Sequence, residues 1–476
     1  MNGSEGLKWP EGQWDAVQGT PGSATFSHIE TVCSMPQSTE TIAAKVRSQK
    51  TALPSLYANM NFDVAPERFA GAADDVSELS TVKGVDRAAL LADTEMVARF
   101  REYTMLGDMT GDAYAALIPS HGFRTLVDML ELACDKGLDA VPDAPAELVA
   151  LIEEMERIPD WLDMKMVEAG ARADRNAAAN ISPFAIRGAF IATFLNKYSA
   201  LPMALTGTLS HATAARRVKE TATFFTTTVL PGALKRFGPG FKAAAMVRLM
   251  HSMVRANVLT RPGMWDAKIY GMPIPQLDQM PAGLIPIFFL SQDVLKSRRK
   301  SFNAVERARV ELSRYRCYLL GLPEDLLADT PEEIVKIWYM RSATLRYEYD
   351  DAICGGLLRA TMEAELSKDA SLGGRGFRLL ERSFSRVFFV KAFLKDDFAR
   401  ASEVGVDVSE QDRMLHGLSM MAIAGRMTAY KFAGQVPILN AIADKRLVRR
   451  LKDQLAGYGH AEFTTNAAAY RSVDKR

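Results

Sequence analysis

From about residue 65 onward, apolar side chains recur every three and four positions, and β-branched alternation over strand length is almost absent. A period near 3.6 buries one face of a helix, whereas a strand needs a period of two, so the chain is restricted to helix-on-helix architectures. "DTEMVARFREYTMLGDMTGDAYAALI" and "APAELVALIEEMERI" carry the spacing. "LPGALKRFGPGF", "TRPGMW", "YGMPIP" and "LGLPED" supply the Pro and Gly that separate one helix from the next. No repeat of solenoid length is present. The expectation is an all-α fold, a large single-domain helical bundle over residues 63–460. Residues 1–62, rich in Gly, Ser, Thr and Pro without periodicity, read as a partly disordered N-terminal extension, and 461–476 as a C-terminal tail.

The 476 residues, 48% of them hydrophobic, give ample material for a core. A net charge of +1 offers no bulk attraction for nucleic acid. Cys33, Cys134, Cys317 and Cys354 are scattered with no CxxC pair, which reads as a reducing compartment without a structural zinc site. The N-terminus lacks a basic segment followed by an apolar one. The longest apolar neighbourhood, 186–207, is broken by Arg187, Lys197 and Pro202, so no transmembrane segment is expected and a cytoplasmic protein is the default.

Further along, Thr330 reads as an N-cap before Pro331, with Glu333 completing a capping box, and helical pattern runs on through "RSATLRYEYDDAICGGLLRATMEAEL". "GGRGF" (373–377) reads as a loop too short to cradle phosphate. "GFRLLERSFSRVFFVKAFL" reads as packed inside and "LVRRLKDQLAGY" as an amphipathic terminal helix.

Two helices carry the residues with chemical content. The first spans about 212–229, with Ser210 as N-cap and Pro231 just beyond its end; Arg217 and Thr221, four apart, share a face. The second spans about 241–257 and places Arg248, His251 and Arg255 in one narrow stripe beside Val247, Met250, Val254 and Val258. A neutral imidazole on a helix suits axial ligation of haem iron, and guanidinium groups suit the two propionates, whose burial is costly unless they are paired. The same stripe is compatible with a hydrogen-bonded core histidine whose flanking arginines meet carboxylates elsewhere. CxxCH is absent, so any haem would be non-covalent.

The ordered set "IPDWLDMKMVEAG", "TGTLSHATAARRVKETATFF", "VRLMHSMVRANV" and "YGMPIPQLDQM" resembles the catalytic domain of latex-clearing proteins (rubber oxygenases) and of the fungal endoplasmic-reticulum oxygenases of mycophenolic acid biosynthesis. The resemblance covers roughly 95–340. It implies a bundle enclosing a b-type haem, with His251 as proximal iron ligand and with Arg217, Thr221, Arg248 and Arg255 around the cofactor. It also implies dioxygen-dependent chemistry, oxidative C=C cleavage in the best-known members, on a hydrophobic isoprenoid- or lipid-like molecule. An arginine such as Arg217 would stabilise charge developing on oxygen, and Arg217 and Thr221 are the expected catalytic pair.

Departures from the family pattern narrow this. Rubber oxygenases carry a lysine immediately before the pocket threonine, where this chain has Glu220, with Lys219 one place earlier. Leu201 stands where they carry an acid/base glutamate, and Pro275 where an asparagine is expected. Glu220 is read as a solvated partner of Lys219 or Arg216 before it is read as a substitute acid. Gln276 and Asp278 are read as loop-holding residues. His28, His121, His211, His416 and His460 show no metal-binding spacing. The leading expectation is a haem-dependent oxygenase. The alternatives are another haem chemistry, such as peroxidase-like turnover, and a non-catalytic helical protein that binds haem or an apolar ligand.

Overall fold

The computed structural model describes residues 39–459 apart from 83, 208–210 and 368. The principal helices are α1 (Thr39–Ala52), α2 (Thr94–Tyr103), α3 (Met109–Ala115), α4 (Phe123–Lys136), α5 (Ala146–Glu156) and α6 (Met164–Asn180). There follow α7 (Ser182–Ala192), α8 (Lys197–Leu205), α9 (His211–Thr228), α10 (Pro239–Leu259), α11 (Pro281–Lys296) and α12 (Ala304–Leu319). The last are α13 (Pro331–Thr344), α14 (Gly356–Glu363), α15 (Leu372–Phe393), α16 (Glu410–Gln435) and α17 (Pro437–Tyr458). Among the described residues β-pairing is confined to two isolated bridges, Phe69 with Leu345 and Ser77 with Arg346. The fold is all-α, as the periodicity predicts.

α10 is the axis of the bundle. Its residues are buried on every side, Arg248, Ser252 and Arg255 included, as in a helix surrounded by protein, and α3, α4, α9 and α12 pack around it. Pro239 opens it at a position where the missing N–H is not needed. The preceding Gly238 is required by packing, because a Cβ there would lie 2.2 Å from the Ala233 carbonyl oxygen. α6 and α12 run antiparallel: Asp163 N–H donates to Glu311, and Arg309, further back along α12, reaches Asp174, further on along α6. They touch at Gly170, where a Cβ would sit 2.1 Å from the Ala308 carbonyl oxygen. α15 lies on α7 and α16, and α16 and α17 form a hairpin whose second arm covers α6 and α9.

Three local expectations are corrected. The folded body begins before residue 63: Ile42, Val46, Leu56, Tyr57, Met60 and Phe62 are buried in the main core, because α1 docks on α2 and the turn of helix that begins at Pro54 docks on α10. The remainder of the expected extension, 1–38 with Cys33 and His28, lies outside the described residues, as do Ser210, His460 and the expected tail 461–476. The helical run through 331–363 breaks after Thr344, where the alternating "LRYEY" extends and is pinned by bonds from Arg346 N–H to Arg68, Glu78 N–H to Leu345 and Lys197 N–H to Glu348. Residues 373–377 are the first turns of α15 and not a loop, since Ser371 caps Gly374 N–H at 3.0 Å. Thr330 caps α13 as expected, accepting from Glu333 N–H, although the Glu333 carboxylate accepts from the Thr330 hydroxyl and not from the backbone.

Candidate functional site

His251 lies midway along α10, enclosed by protein, yet it keeps accessible surface in a helix that is otherwise mostly buried. A side chain that is both deep and accessible borders internal space. Val247 and Ala243, one and two turns earlier on the same stripe, are also partly accessible, while Ala244, Ala245, Met246, Leu249 and Met250 are buried. Burial, then the positive charges of Arg255 and Arg217, holds the imidazole down at about 4, so it is neutral at physiological pH. Its Nδ1 accepts a hydrogen bond from the Gln279 side-chain amide at 2.8 Å. Among the described residues no protein group meets Nε2.

The two flanking arginines do not face that space. Residues 248 and 255 lie about 40–60° to one side of 251, and Val247 and Ala243 to the other. Arg248 grips Asp108 with Nε and Nη2 at 2.7 and 2.6 Å and reaches Glu154 at 2.7 Å. Arg255 Nε bonds Asp112 at 2.6 Å, and its Nη2 and Nη1 donate to the Ser252 hydroxyl and the Ile274 carbonyl. Tyr57 donates to the other Asp112 oxygen. Asp108 also caps α3 through Gly111 N–H. Burial alone would raise the Asp108 carboxyl, but Arg248 overrides it and holds it at about 2. Gly111 permits the approach, since a Cβ would meet the Ser252 hydroxyl at 2.6 Å. The expectation that Arg248 and Arg255 neutralise propionates therefore gives way to a different role. Their charges are met by Asp108, Glu154 and Asp112, and they clamp the histidine helix to α3.

That clamp extends into the loop after α10. Ile274, whose carbonyl Arg255 holds, has φ of 48°, a conformation that a β-branched residue adopts only when its surroundings impose it. Two residues on, Gln276 N–H donates to Leu106, and Asp278 receives a two-pronged contact from buried Arg68. Gln276 and Asp278 thus hold the loop, although not by side chains bonded to backbone amides as expected but through the Gln276 N–H and the Arg68 guanidinium, and the residue that follows, Gln279, meets the histidine. The sequence reading passed over Gln279, Asp108 and Asp112.

On α9, Arg217, Thr221 and Phe225 form a stripe at four-residue spacing, each partly accessible. Arg217 is close enough for its charge to act on His251, which brings these two predicted residues into one neighbourhood. Thr221 shares the Arg217 face, and no described hydrogen bond links its hydroxyl to His251. Glu220 corrects its expectation. Its side chain is only 11% exposed and accepts from Arg217 Nη1 at 2.8 Å, with Arg216 further off at 3.8 Å. Residues three apart on a helix are neighbours, so Glu220 leans toward Arg217 and not toward water. Leu201 is buried in an apolar cluster with Val218, Val254 and Val258.

Comparisons with known proteins agree with this architecture. No curated protein matches the chain in sequence. A solved structure, "Structure of Latex Clearing Protein LCP in the closed state", shares the fold with a TM-score of 0.51 at 16% identity, covering 80% of this chain and 94% of that one. The model of the family "ER-bound oxygenase mpaB/B'/Rubber oxygenase, catalytic domain" matches residues 177–424, just over half of the chain, a span that contains α9, α10 and the loop bearing Gln279. The chain therefore belongs to the mpaB and rubber oxygenase catalytic-domain family, and it is an enzyme of the oxygenase type.

Proposed function

We propose that this protein is a haem-b-dependent oxygenase acting on a hydrophobic, isoprenoid- or lipid-like small molecule, with oxidative cleavage of a C=C bond as its reaction. The observation that carries the reading is His251: a neutral imidazole beside internal space, oriented through Nδ1, with Nε2 unengaged among the described residues. Among those residues no three His, Cys, Asp or Glu side chains converge to hold a metal by themselves. A single imidazole would suit an iron whose remaining nitrogen donors are supplied by a porphyrin. The apolar Ala243, Val247 and Phe225 suit contact with such a ring.

The residues divide the work as follows. His251 would ligate iron through Nε2 once Gln279 turns its amide oxygen to Nδ1, which keeps the proton on that nitrogen; a side-chain amide is reversible end for end. Arg248 and Arg255 hold α10, and with it the ring, in position through Asp108 and Asp112. When bound, haem would supply the activation of dioxygen. Arg217, kept in place by Glu220, is a fixed positive charge beside the histidine's space and would stabilise negative charge developing there. Thr221 offers a hydroxyl on the same stripe. With Leu201 where an acid would stand, Glu220 is the carboxylate nearest to Arg217 and would orient it; proton transfer from Leu201 is chemically impossible.

The test is the purified protein with hemin added: a Soret band, one haem per chain, and oxygen uptake by the reduced form on addition of an isoprenoid are expected. Arg217→Ala should keep normal haem content and lose most turnover. Full turnover in that variant removes Arg217 from the reaction. A haem-loaded protein that consumes peroxide but no oxygen supports the peroxidase-like alternative, and a haem-loaded protein inert to both supports a binding protein.

A further inference from the structure

Eight arginines are buried among the described residues, and seven of them hold a carboxylate within 3.1 Å: Arg68, Arg175, Arg187, Arg248, Arg255, Arg314 and Arg341. Arg316 is the eighth. It is 4% exposed, makes no ion pair and no side-chain hydrogen bond among the described residues, and its Nε is buried without a partner. Asp174, whose carboxylate is bonded by Arg309, lies near enough for its charge to act on Arg316 without bonding it. Burial of a guanidinium with no direct partner is costly, so a further anionic group is expected to meet it.

The position of Arg316 says where that group lies. On α12 the contact with α6 is made by Ala308 and Leu312 at Gly170, and the contact with α11 by Ser313 and Cys317 at Gly283. Residue 316 leaves the helix between these two faces. Its guanidinium lies 5.5 Å from the ring centroid of Phe225, which follows Thr221 by one turn on the α9 stripe. Arg316 thus points to the Thr221–Phe225 side of the same interior that His251 borders.

We propose that Arg316 is the anion anchor of this interior and receives a single carboxylate carried by an otherwise apolar occupant. One unpaired, planar, permanently charged fork beside the Phe225 ring matches a carboxylate in charge and shape, whereas a phosphate dianion would need more compensation than one arginine supplies. Two sources share this chemistry, a haem propionate and the acid head of a substrate. The proposal rests on the haem reading for the first source and stands without it for the second.

The experiment uses the full-length protein, Arg316→Met and Arg316→Lys. In one arm, protein loaded with hemin or with hemin dimethyl ester is mixed with excess apomyoglobin and the rate of cofactor loss is followed. In the other arm, apo-protein is titrated calorimetrically with oleic acid and with oleyl alcohol. A propionate anchor predicts that wild type loses the ester roughly tenfold faster than hemin, that Arg316→Met loses both at the ester's rate, and that Arg316→Lys recovers part of the difference. A substrate anchor predicts instead a roughly tenfold preference for the acid over the alcohol, lost in Arg316→Met. In either case the apo melting temperature of Arg316→Met should equal or exceed that of wild type, because an unmatched buried charge has been removed. Indifference of Arg316→Met in both arms overturns the proposal, and so does a lowered melting temperature with unchanged ligand behaviour. If wild type takes up no hemin, the haem reading fails by itself and the acid–alcohol arm still decides on Arg316.

Discussion

Asp112 takes one hydrogen bond from Arg255 and another from Tyr57, and all three side chains are fully enclosed. Removing the arginine leaves a carboxylate with no cation in contact. Arg255→Met is expected to cost about 3–5 kcal/mol in urea unfolding, and Arg255→Met with Asp112→Leu to recover much of it, since replacing both partners of a buried pair is far cheaper than breaking it. Gln279 makes the corresponding point for ligation. Gln279→Leu should weaken hemin binding about tenfold or more, read as a faster loss to apomyoglobin, because the ring loses the partner that fixes its orientation. The stripe of Arg248, His251 and Arg255 is legible in the sequence, but its electrostatic partners are not. Asp108 and Asp112 stand some 140 positions away, and nothing in local spacing pairs carboxylates four apart with arginines seven apart. The sequence reading of Glu220 as a solvated partner of Lys219 or Arg216 omits the three-residue step back to Arg217, the arginine it bonds at 2.8 Å.

At the level of elements, helix existence was legible wherever apolar periodicity was long, as in α9 and α10, whose ends fall within two residues of expectation. It failed where packing overrides composition. α1 reads as polar extension because only Ile42, Ala43, Val46 and Gln49 of its fourteen residues face the core. The glycines of 373–377 read as a loop because a glycine pair outweighed the Ser371 cap. Close helix crossings are sensitive in the opposite sense. Gly170→Ala should destabilise the protein by about 1–3 kcal/mol, seen as a lowered urea midpoint, since the added methyl would run into the Ala308 backbone. The α15–α16 contact carries a pH term. His416 packs on Phe384 with ring centroids 4.7 Å apart, and burial, then Lys391, pulls its imidazole down from 6.5 to about 4. Between these values the unfolded chain binds more protons than the folded one. The contribution of neutral His416 is therefore complete above about pH 6.5 and is lost as the pH falls toward 4. His416→Leu should narrow the fall in urea midpoint between pH 7 and pH 4.5; an equal fall in both proteins contradicts the assignment.

Across the described residues, one buried axial helix carries the histidine that borders the interior, and its neighbours divide into a clamp on one side and a lining on the other. The all-α class followed from the period of the apolar residues, and the family from an ordered set of short motifs that lie at the start of α6, on α9 and α10, and in the loop beyond them. The division between clamp and lining was beyond reach of the sequence, because it depends on which way α3 and α9 approach α10. No described helix is long and apolar enough to cross a membrane. The central claim is that His251 presents Nε2 to iron. Its most direct test is the absorption spectrum of His251→Gly with hemin, recorded before and after addition of free imidazole. Loss of the wild-type Soret band and its return with imidazole is the predicted result. A wild-type spectrum in the glycine variant without imidazole would contradict it.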